Sequence, residues 1–157
     1  EQVPTLTEAR LLQAKVNLTL NRLAETEKLV NQILEIDPTF SEAHLLRSHV
    51  FLDQGSHADA SQCLEQALSF DFTIRSSPAY RLIRGRVLSM EGNYVEAKNE
   101  FEQAIRLPGI QDKTASSFGS KGTTLTDKAA IYIELARAEM KLGSLKEAEA
   151  TVEDARV

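Results

Sequence analysis

The strongest constraint on this chain is a set of landmark residues that recur in a register of 34 positions. Pro4 and Pro38 define that register, and we expect each proline to follow the second helix of a pair, because proline cannot donate the N–H that would continue a helix. Short helix pairs that bury their apolar faces only by stacking produce such a period. The predicted repeats span residues 7–40, 41–74, 78–111 and 129–157, with insertions at 75–77 and 112–128.

Glycines mark the predicted turn between the first helix of each repeat, helix A, and the second, helix B. Gly55, Gly92 and Gly143 all fall at repeat position 15, and Asn21 takes that place in repeat one. A left-handed backbone costs a residue with a Cβ atom about 1–2 kcal/mol, and glycine avoids this cost. The spacing therefore predicts one tight helical hairpin in each repeat.

Helix B carries small residues at two fixed positions and larger apolar ones between them. Small side chains let helices approach closely, and the larger ones fill the remaining space. The alanines are Ala60, Ala97 and Ala148 at position 20 and Ala67, Ala104 and Ala155 at position 27; position 24 carries Val30, Leu64, Phe101 and Val152. Helix starts are predicted at Ser77 before Pro78, and at Asn93 and Ser144, each followed three residues later by a glutamate.

These spacings resemble those of the tetratricopeptide (TPR) repeat family. The resemblance implies an all-α, right-handed α-solenoid of helix-turn-helix repeats, with residues 1–157 forming one array that binds proteins and is not an enzyme. An irregular helical bundle is the alternative, but such a bundle has no reason to repeat at this interval. The positions of Pro4 and Val157 predict a fragment of a longer array, and its exposed ends would allow self-association.

The net charge and the short apolar runs of the chain favour proteins as its partners. The 157 residues carry 18 Lys and Arg against 23 Asp and Glu, a net charge of -5, so we expect no nucleic acid partner. No apolar run approaches the roughly 20 residues of a membrane-spanning helix, so we expect no direct membrane insertion. A lone cysteine, Cys63, cannot form an intrachain disulfide, which favours a reducing, cytoplasmic location.

Two columns of residues on helix A form the predicted protein-binding surface, because helix A lines the concave face in TPR proteins. The apolar ladder at position 5 would lie beside a basic ladder at position 9, and a partner segment with apolar and acidic residues would complement them. The competing interpretation is that the basic ladder is an ordinary solvated face. The apolar ladder is Leu11, Leu45, Leu82 and Ile133; the basic ladder is Lys15, His49, Arg86 and Arg137.

No motif predicts catalysis, a cofactor or a metal site. His44 and His49 are five residues apart and do not share a helix face, and Cys63 has no paired ligand. Gly119 and Gly122 lack the spacing of a phosphate-binding loop. The polar segment 112–128 is predicted to be a loop that serves as a spacer.

Position 7 of helix A departs from the family pattern, which usually places a leucine there. Gln13, Arg47 and Arg84 occupy it, and only Leu135 conforms. We expect structural roles for these arginines, whose long stems can lie along apolar surface. The neighbouring residues Leu12, Leu46 and Ile83 would supply the missing packing.

Within the TPR class, the side chains resemble one family more than others. Residues 70–110, the polar insertion after them, and residues 35–46 are similar to the large TPR subunit of intraflagellar transport complex A, the TPR-domain-twenty-one family. This resemblance implies a scaffold for retrograde transport at the cilium and ciliary base, with the other subunits of that complex and cargo adaptors as partners. The alternatives are a substrate- or chaperone-recruiting module of an enzyme or co-chaperone, or a bacterial TPR assembly factor.

Overall fold

The computed structural model describes residues 4–107, 110 and 125–155, and helices dominate this part of the chain. It confirms the predicted all-α fold of helix-turn-helix repeats. The elements are α1 (Pro4–Thr19), α2 (Leu23–Ile36), α3 (Ser41–Asp53), α4 (His57–Phe70), a 3-10 helix (Phe72–Ser76), α5 (Pro78–Met90), α6 (Tyr94–Ile105), α7 (Leu125–Lys141) and α8 (Leu145–Ala155).

Each hairpin turn has the left-handed residue that the sequence predicts. The φ angles are 84° at Gly55, 82° at Gly92, 80° at Gly143 and 57° at Asn21. At the first of these, the N–H of Ser56 donates to the carbonyl of Phe51 at 2.8 Å, and the N–H of Gly55 donates to Leu52 at 3.0 Å. This pair of bonds is a Schellman motif, and the same pair closes the other three turns.

The chain forms two compact units, residues 1–74 and 75–157. In the first unit, Val30 and Ile33 of α2 pack in one cluster with residues of α1 and α3. In the second unit, Phe101 of α6 is fully buried in a cluster that also contains Ile131 and Leu135 of α7. The predicted alanines at positions 20 and 27 are buried at Ala60, Ala67, Ala97, Ala104 and Ala148.

The structure differs from the predicted helices in three details. Ala155 and Val152 are exposed on α8, because among the described residues no helix follows α8 to cover that face. Pro4 is the first residue of α1, three residues before the predicted start of repeat one at residue 7, and a proline fits the first turn because its missing N–H costs nothing there. α6 begins directly after Asn93, as predicted, but the Asn93 side chain makes no capping hydrogen bond. At the start of α5, the Ser77 hydroxyl accepts from the N–H of Tyr80 at 3.1 Å, as predicted.

The predicted loop 112–128 ends earlier than expected, because α7 already begins at Leu125. The sequence signal for this earlier start is Thr124 followed three residues later by Asp127, the pattern of a capping box. The polar composition of the segment obscures that signal. Residues 112–124 lie outside the described part of the chain.

Helices A and B of the third repeat approach each other closely at Gly85 of α5. A Cβ atom built on Gly85 would lie 2.6 Å from Cζ and 2.8 Å from Cδ1 of the Phe101 ring, and real Cβ atoms do not come this close to carbon. Phe101 is fully buried, so its ring has no free space into which to move. Gly85 therefore fixes the distance between α5 and α6.

We predict that Gly85→Ala destabilises the protein by about 1–3 kcal/mol, although alanine has the better helix propensity, because overpacking against the ring outweighs that gain. Urea unfolding followed by circular dichroism measures the effect. The control is the same Gly85→Ala change in a Phe101→Leu background, where the ring is absent and the loss in free energy of unfolding should be much smaller. An equal cost in both backgrounds would show that the ring is not the obstacle.

An aspartate directly follows helix B in each of the first two repeats and accepts hydrogen bonds from a threonine two residues later. The Asp37 carboxylate accepts hydrogen bonds from the N–H of Thr39 at 2.9 Å and from its hydroxyl at 2.7 Å. Asp71 accepts the same two bonds from Thr73 at 2.9 and 2.6 Å. These bonds, the hydroxyl bond first, hold the pKa of both carboxyl groups below the ordinary value of 3.8.

We predict that low pH lowers the free energy of unfolding of the first unit, because it protonates Asp37 and Asp71. A carboxyl group with a lowered pKa in the folded state stabilises the fold above its ordinary pKa, and this contribution disappears as the pH falls below that value. The double variant Asp37→Asn, Asp71→Asn should lose less stability than the parent between about pH 5 and about pH 3, as measured by urea unfolding. Parallel pH profiles for the two proteins would contradict the assignment.

Candidate functional site

Three of the four residues in the apolar ladder belong to the interior of the protein. Leu11, Leu45 and Leu82 are all buried, and Leu11 and Leu82 lie in the hydrophobic clusters of their units. Their side chains pack in the core and do not present a surface to a partner. Ile133 differs, because 49% of it is exposed on α7.

In the first unit, each residue of the basic ladder lies beside an acid. Lys15 Nζ is 2.9 Å from Glu42 Oε2 between α1 and α3, and both side chains are about half exposed. His49 Nε2 is 3.9 Å from Asp53 Oδ2, one turn further along α3. Surface pairs of this kind contribute at most about 1 kcal/mol, but they neutralise the local positive charge. The first unit therefore offers no continuous basic surface along this column.

In the second unit, the structure brings the two predicted arginines to one carboxylate. Glu134 Oε1 lies 3.0 Å from Arg137 Nη1 and 3.9 Å from Arg86 Nε. Arg137 is on the same helix, α7, and Arg86 comes from α5. Glu134 and Arg86 are largely covered, with 18% and 23% of their side chains exposed, whereas Arg137 is 67% exposed. Two cations thus share one anion at this point.

These three residues line an open cleft of about 300 Å³, which we call the α5–α7 cleft. Its other charged residue is Lys141, in the last turn of α7 and exposed. Met90 at the end of α5 and Tyr94 at the start of α6 contribute apolar surface. The described residues that line it are Arg86, Ser89, Met90, Tyr94, Glu134, Arg137, Ala138 and Lys141.

The charge of the cleft contrasts with that of the whole chain. Its lining holds three cations and one carboxylate, whereas the chain carries -5. The difference begins with α5, which carries Arg81, Arg84 and Arg86 and no acid. Of these three, Arg86 is the one among the described lining residues of the cleft, whereas Arg81 is paired with Glu100 of α6 at 2.7 Å. This is a positive site on an acidic protein.

A second polar cluster joins three helices of the same unit. Lys98 of α6 contacts Glu147 of α8 and lies 3.5 Å from Glu139 of α7. Glu139 is 4% exposed and accepts a hydrogen bond from the Thr151 hydroxyl at 2.8 Å. The hydrogen bond from Lys98 to Glu147, with the nearby charge of Glu139, raises the pKa of Lys98. This cluster has a structural role, because its central carboxylate, that of Glu139, is closed off from solvent.

The other polar residues singled out in the sequence have structural partners. His44 is buried, its Nε2 lies 2.8 Å from the carbonyl oxygen of Pro38, and its ring packs on Phe70. Burial raises the pKa of the Cys63 thiol, which makes it a weak nucleophile. Arg47 lies over the ring of Phe51, with 5.5 Å from Cζ to the ring centroid. Leu46 and Ile83 are buried as predicted, but Leu12 is exposed.

The described parts of the chain show no arrangement of three or more His, Cys, Asp or Glu side chains suited to a metal ion. In the same residues, no helix combines the length and the apolar character needed to cross a membrane.

The sequence pattern identified Arg86 and Arg137 but missed Glu134 and Lys141. Both lie on the helix turns next to Arg137, at three residues before it and four after it, where α-helical side chains are neighbours. That spacing is visible in the sequence. Matching positions between repeats does not reveal it, because Glu134 and Lys141 are neighbours of Arg137 along α7 and do not occupy its repeat position.

Solved structures with a similar fold include a pilus biogenesis factor and a TPR protein. The type IV pilus biogenesis factor PilW has a TM-score of 0.68 at 16% identity, covering 98% of this chain and 62% of that one. A thermophilic TPR protein of Thermus thermophilus has a TM-score of 0.68 at 19% identity, covering 95% of this chain and 72% of that one. With its helical hairpins and glycine turns, the chain is a TPR repeat protein.

The family within this class follows from sequence comparison. The profile "Tetratricopeptide repeat protein 21 ARM repeat" matches residues 72–157, "Tetratricopeptide repeat protein 21 second ARM domain" matches 1–55, and "Tetratricopeptide repeat" matches 41–73. The chain belongs to the tetratricopeptide repeat protein 21 family.

Two curated relatives extend this result. Tetratricopeptide repeat protein 21A of Homo sapiens is 31% identical over 151 residues, 96% of this chain, and the Mus musculus protein is 33% identical over 152 residues, 97% of this chain. The chain spans only 11% and 12% of the lengths of these relatives.

We predict that Lys98→Met lowers the free energy of unfolding by about 1–3 kcal/mol, because it leaves the buried Glu139 carboxylate without its positive charge. Urea unfolding gives the value, and Lys146→Met on the exposed face of α8 is the matched control. A loss no larger than that of the control would show that Thr151 alone satisfies Glu139.

Proposed function

We propose that this chain is a non-catalytic protein-binding segment of an intraflagellar transport complex A subunit, which acts in retrograde transport at the cilium and ciliary base. The observation that carries the proposal is the family match, in which two models of one family cover residues 1–55 and 72–157. The other subunits of that complex and cargo adaptors are the proposed partners. The pilus biogenesis factor PilW shares the fold at only 16% identity, which does not favour the bacterial alternative.

The exposed face of α1 supports a place within a longer array. Leu12 and Val16 are 65% and 51% exposed, whereas the residues at the same repeat positions of α3, Leu46 and Val50, are buried. In repeat two this face packs beside α2. The same face of α1 is therefore suited to another helix B, supplied by a further repeat or, in the isolated chain, by a second copy.

The proposed partner-binding site is the part of the sequence-predicted surface that remains accessible. It consists of Arg86 and Arg137 in the α5–α7 cleft, with Ile133 exposed on the same helix as Arg137. Lys15 and His49 lie on the first unit beside acids and contribute less net charge.

Co-purification tests the transport assignment. The tagged chain would be expressed in ciliated cells and in cells without cilia, and the captured proteins identified by mass spectrometry. We expect subunits of intraflagellar transport complex A in the first sample, and fluorescence of the tagged protein at the ciliary base. Capture of chaperones or of a single enzyme in place of these subunits would support the recruiting-module alternative.

We predict that the double charge reversal Arg86→Glu, Arg137→Glu weakens capture of the partner by about tenfold or more, because it turns the cleft from positive to negative. Circular dichroism should show unchanged helical content. Lys146→Glu, an exposed change on α8 of the same unit, is the control and should leave capture unaltered. Equal capture by all three proteins would remove the cleft from the binding surface.

A further inference from the structure

The α5–α7 cleft already contains a carboxylate at the place where a partner's carboxylate would bind. Glu134 Oε1 lies between Arg137 Nη1 at 3.0 Å and Arg86 Nε at 3.9 Å. Guanidinium groups bind carboxylates and phosphates by presenting several N–H donors. The position of Glu134 shows that these two side chains can approach one anion together from two different helices.

Glu134 neutralises only part of the charge around it. Arg86, Arg137 and Lys141 line the same cleft, and Glu134 is the only acid among the described residues that line it. These described residues carry three cations and one carboxylate, an excess of two positive charges. An acidic ligand is therefore attracted to the cleft but must compete with Glu134 for the two guanidinium groups.

Apolar surface beside the charges narrows the ligand to a peptide segment. Met90 is 44% exposed at the edge of the cleft, and Tyr94 is partly exposed. A simple inorganic anion would leave this surface uncovered. An acidic peptide with an aliphatic side chain next to its carboxylates would cover it and meet the cations at the same time.

We propose that the α5–α7 cleft binds an acidic, leucine-bearing segment of a partner protein and that Glu134 sets its affinity by competing with the ligand for Arg86 and Arg137. This inference rests on the proposed protein-binding function and names the chemistry of the partner. Glu134 is the specificity-determining residue. It lowers the affinity for acidic segments in general and selects those that supply more than one carboxylate or an apolar contact.

The test is the binding of a short fluorescein-labelled peptide of repeated Glu-Glu-Leu, followed by fluorescence anisotropy with the 157-residue chain at low and physiological salt. Glu134→Gln should tighten binding by about three- to tenfold, since one competing charge in a partly covered site is removed. Lys141→Gln should weaken it, and this exposed change does not threaten the fold. The Gln-Gln-Leu peptide should bind weakly to every variant.

Three controls separate competition from an unrelated gain in charge. Lys146→Gln lies on α8, outside the cleft, and should leave the affinity of the acidic peptide unchanged. Adding Arg86→Gln to Glu134→Gln should abolish most of the gain, because one of the two guanidinium groups beside position 134 is then missing. A repeated Lys-Lys-Leu peptide should bind less well to Glu134→Gln than to the parent.

Three results would overturn the inference. These are unchanged or weaker binding of the acidic peptide by Glu134→Gln, a gain that persists without Arg86, or no binding of the acidic peptide by any variant. Each can occur while the chain still captures transport subunits through another surface. Failure of that capture, with the expected order of peptide affinities intact, would instead count against the transport assignment alone.

Discussion

The structure depends on how closely helix A and helix B approach each other within each hairpin. Small buried residues allow this contact on helix A: Ala14, Ser48 and Gly85. Ser48 also donates a hydrogen bond across the contact to the carbonyl oxygen of Ala60 at 2.7 Å, so even the polar member of the set is satisfied. Helices that pack this tightly need a short connection, and the left-handed turn residues provide it. The positions of all outward-facing side chains follow from this contact.

Much of the fold could be predicted because its requirements are local and steric. A left-handed turn residue and a small residue at a helix contact are visible in any single repeat, and their recurrence identifies the hairpins. The exposure of apolar residues could not be predicted in this way. Leu12 and Leu46 occupy the same repeat position, yet one is exposed and the other buried. Their difference depends on whether a helix precedes them in space, which the residue itself does not encode.

The candidate site was predicted in part, and the missing part concerns pairing of charges. A column of basic residues suggests a continuous positive surface only if acids on neighbouring turns are ignored. Lys15 lies beside Glu42 and His49 beside Asp53, so the column is interrupted throughout the first unit. In the α5–α7 cleft, Arg86 and Arg137 share Glu134. Lys141 also lines the cleft, so the described lining residues keep a positive excess. Net charge and single columns are therefore poor guides to where such a surface lies.

The contacts of Lys98 hold α7, which forms one wall of the cleft, against α6 and α8. Glu139 lies five residues after Glu134 on α7, a separation that places the two carboxylates on different faces of the helix. Glu139 faces inward, where Lys98 and Thr151 hold it against α6 and α8, and Glu134 faces the cleft. One helix thus carries a buried ionic contact on one face and the charged cleft on another. Side chains on a helix held in this way keep their spacing when a ligand replaces one of their partners. Competition between Glu134 and an acidic ligand then changes the charges in the cleft without requiring α7 to move.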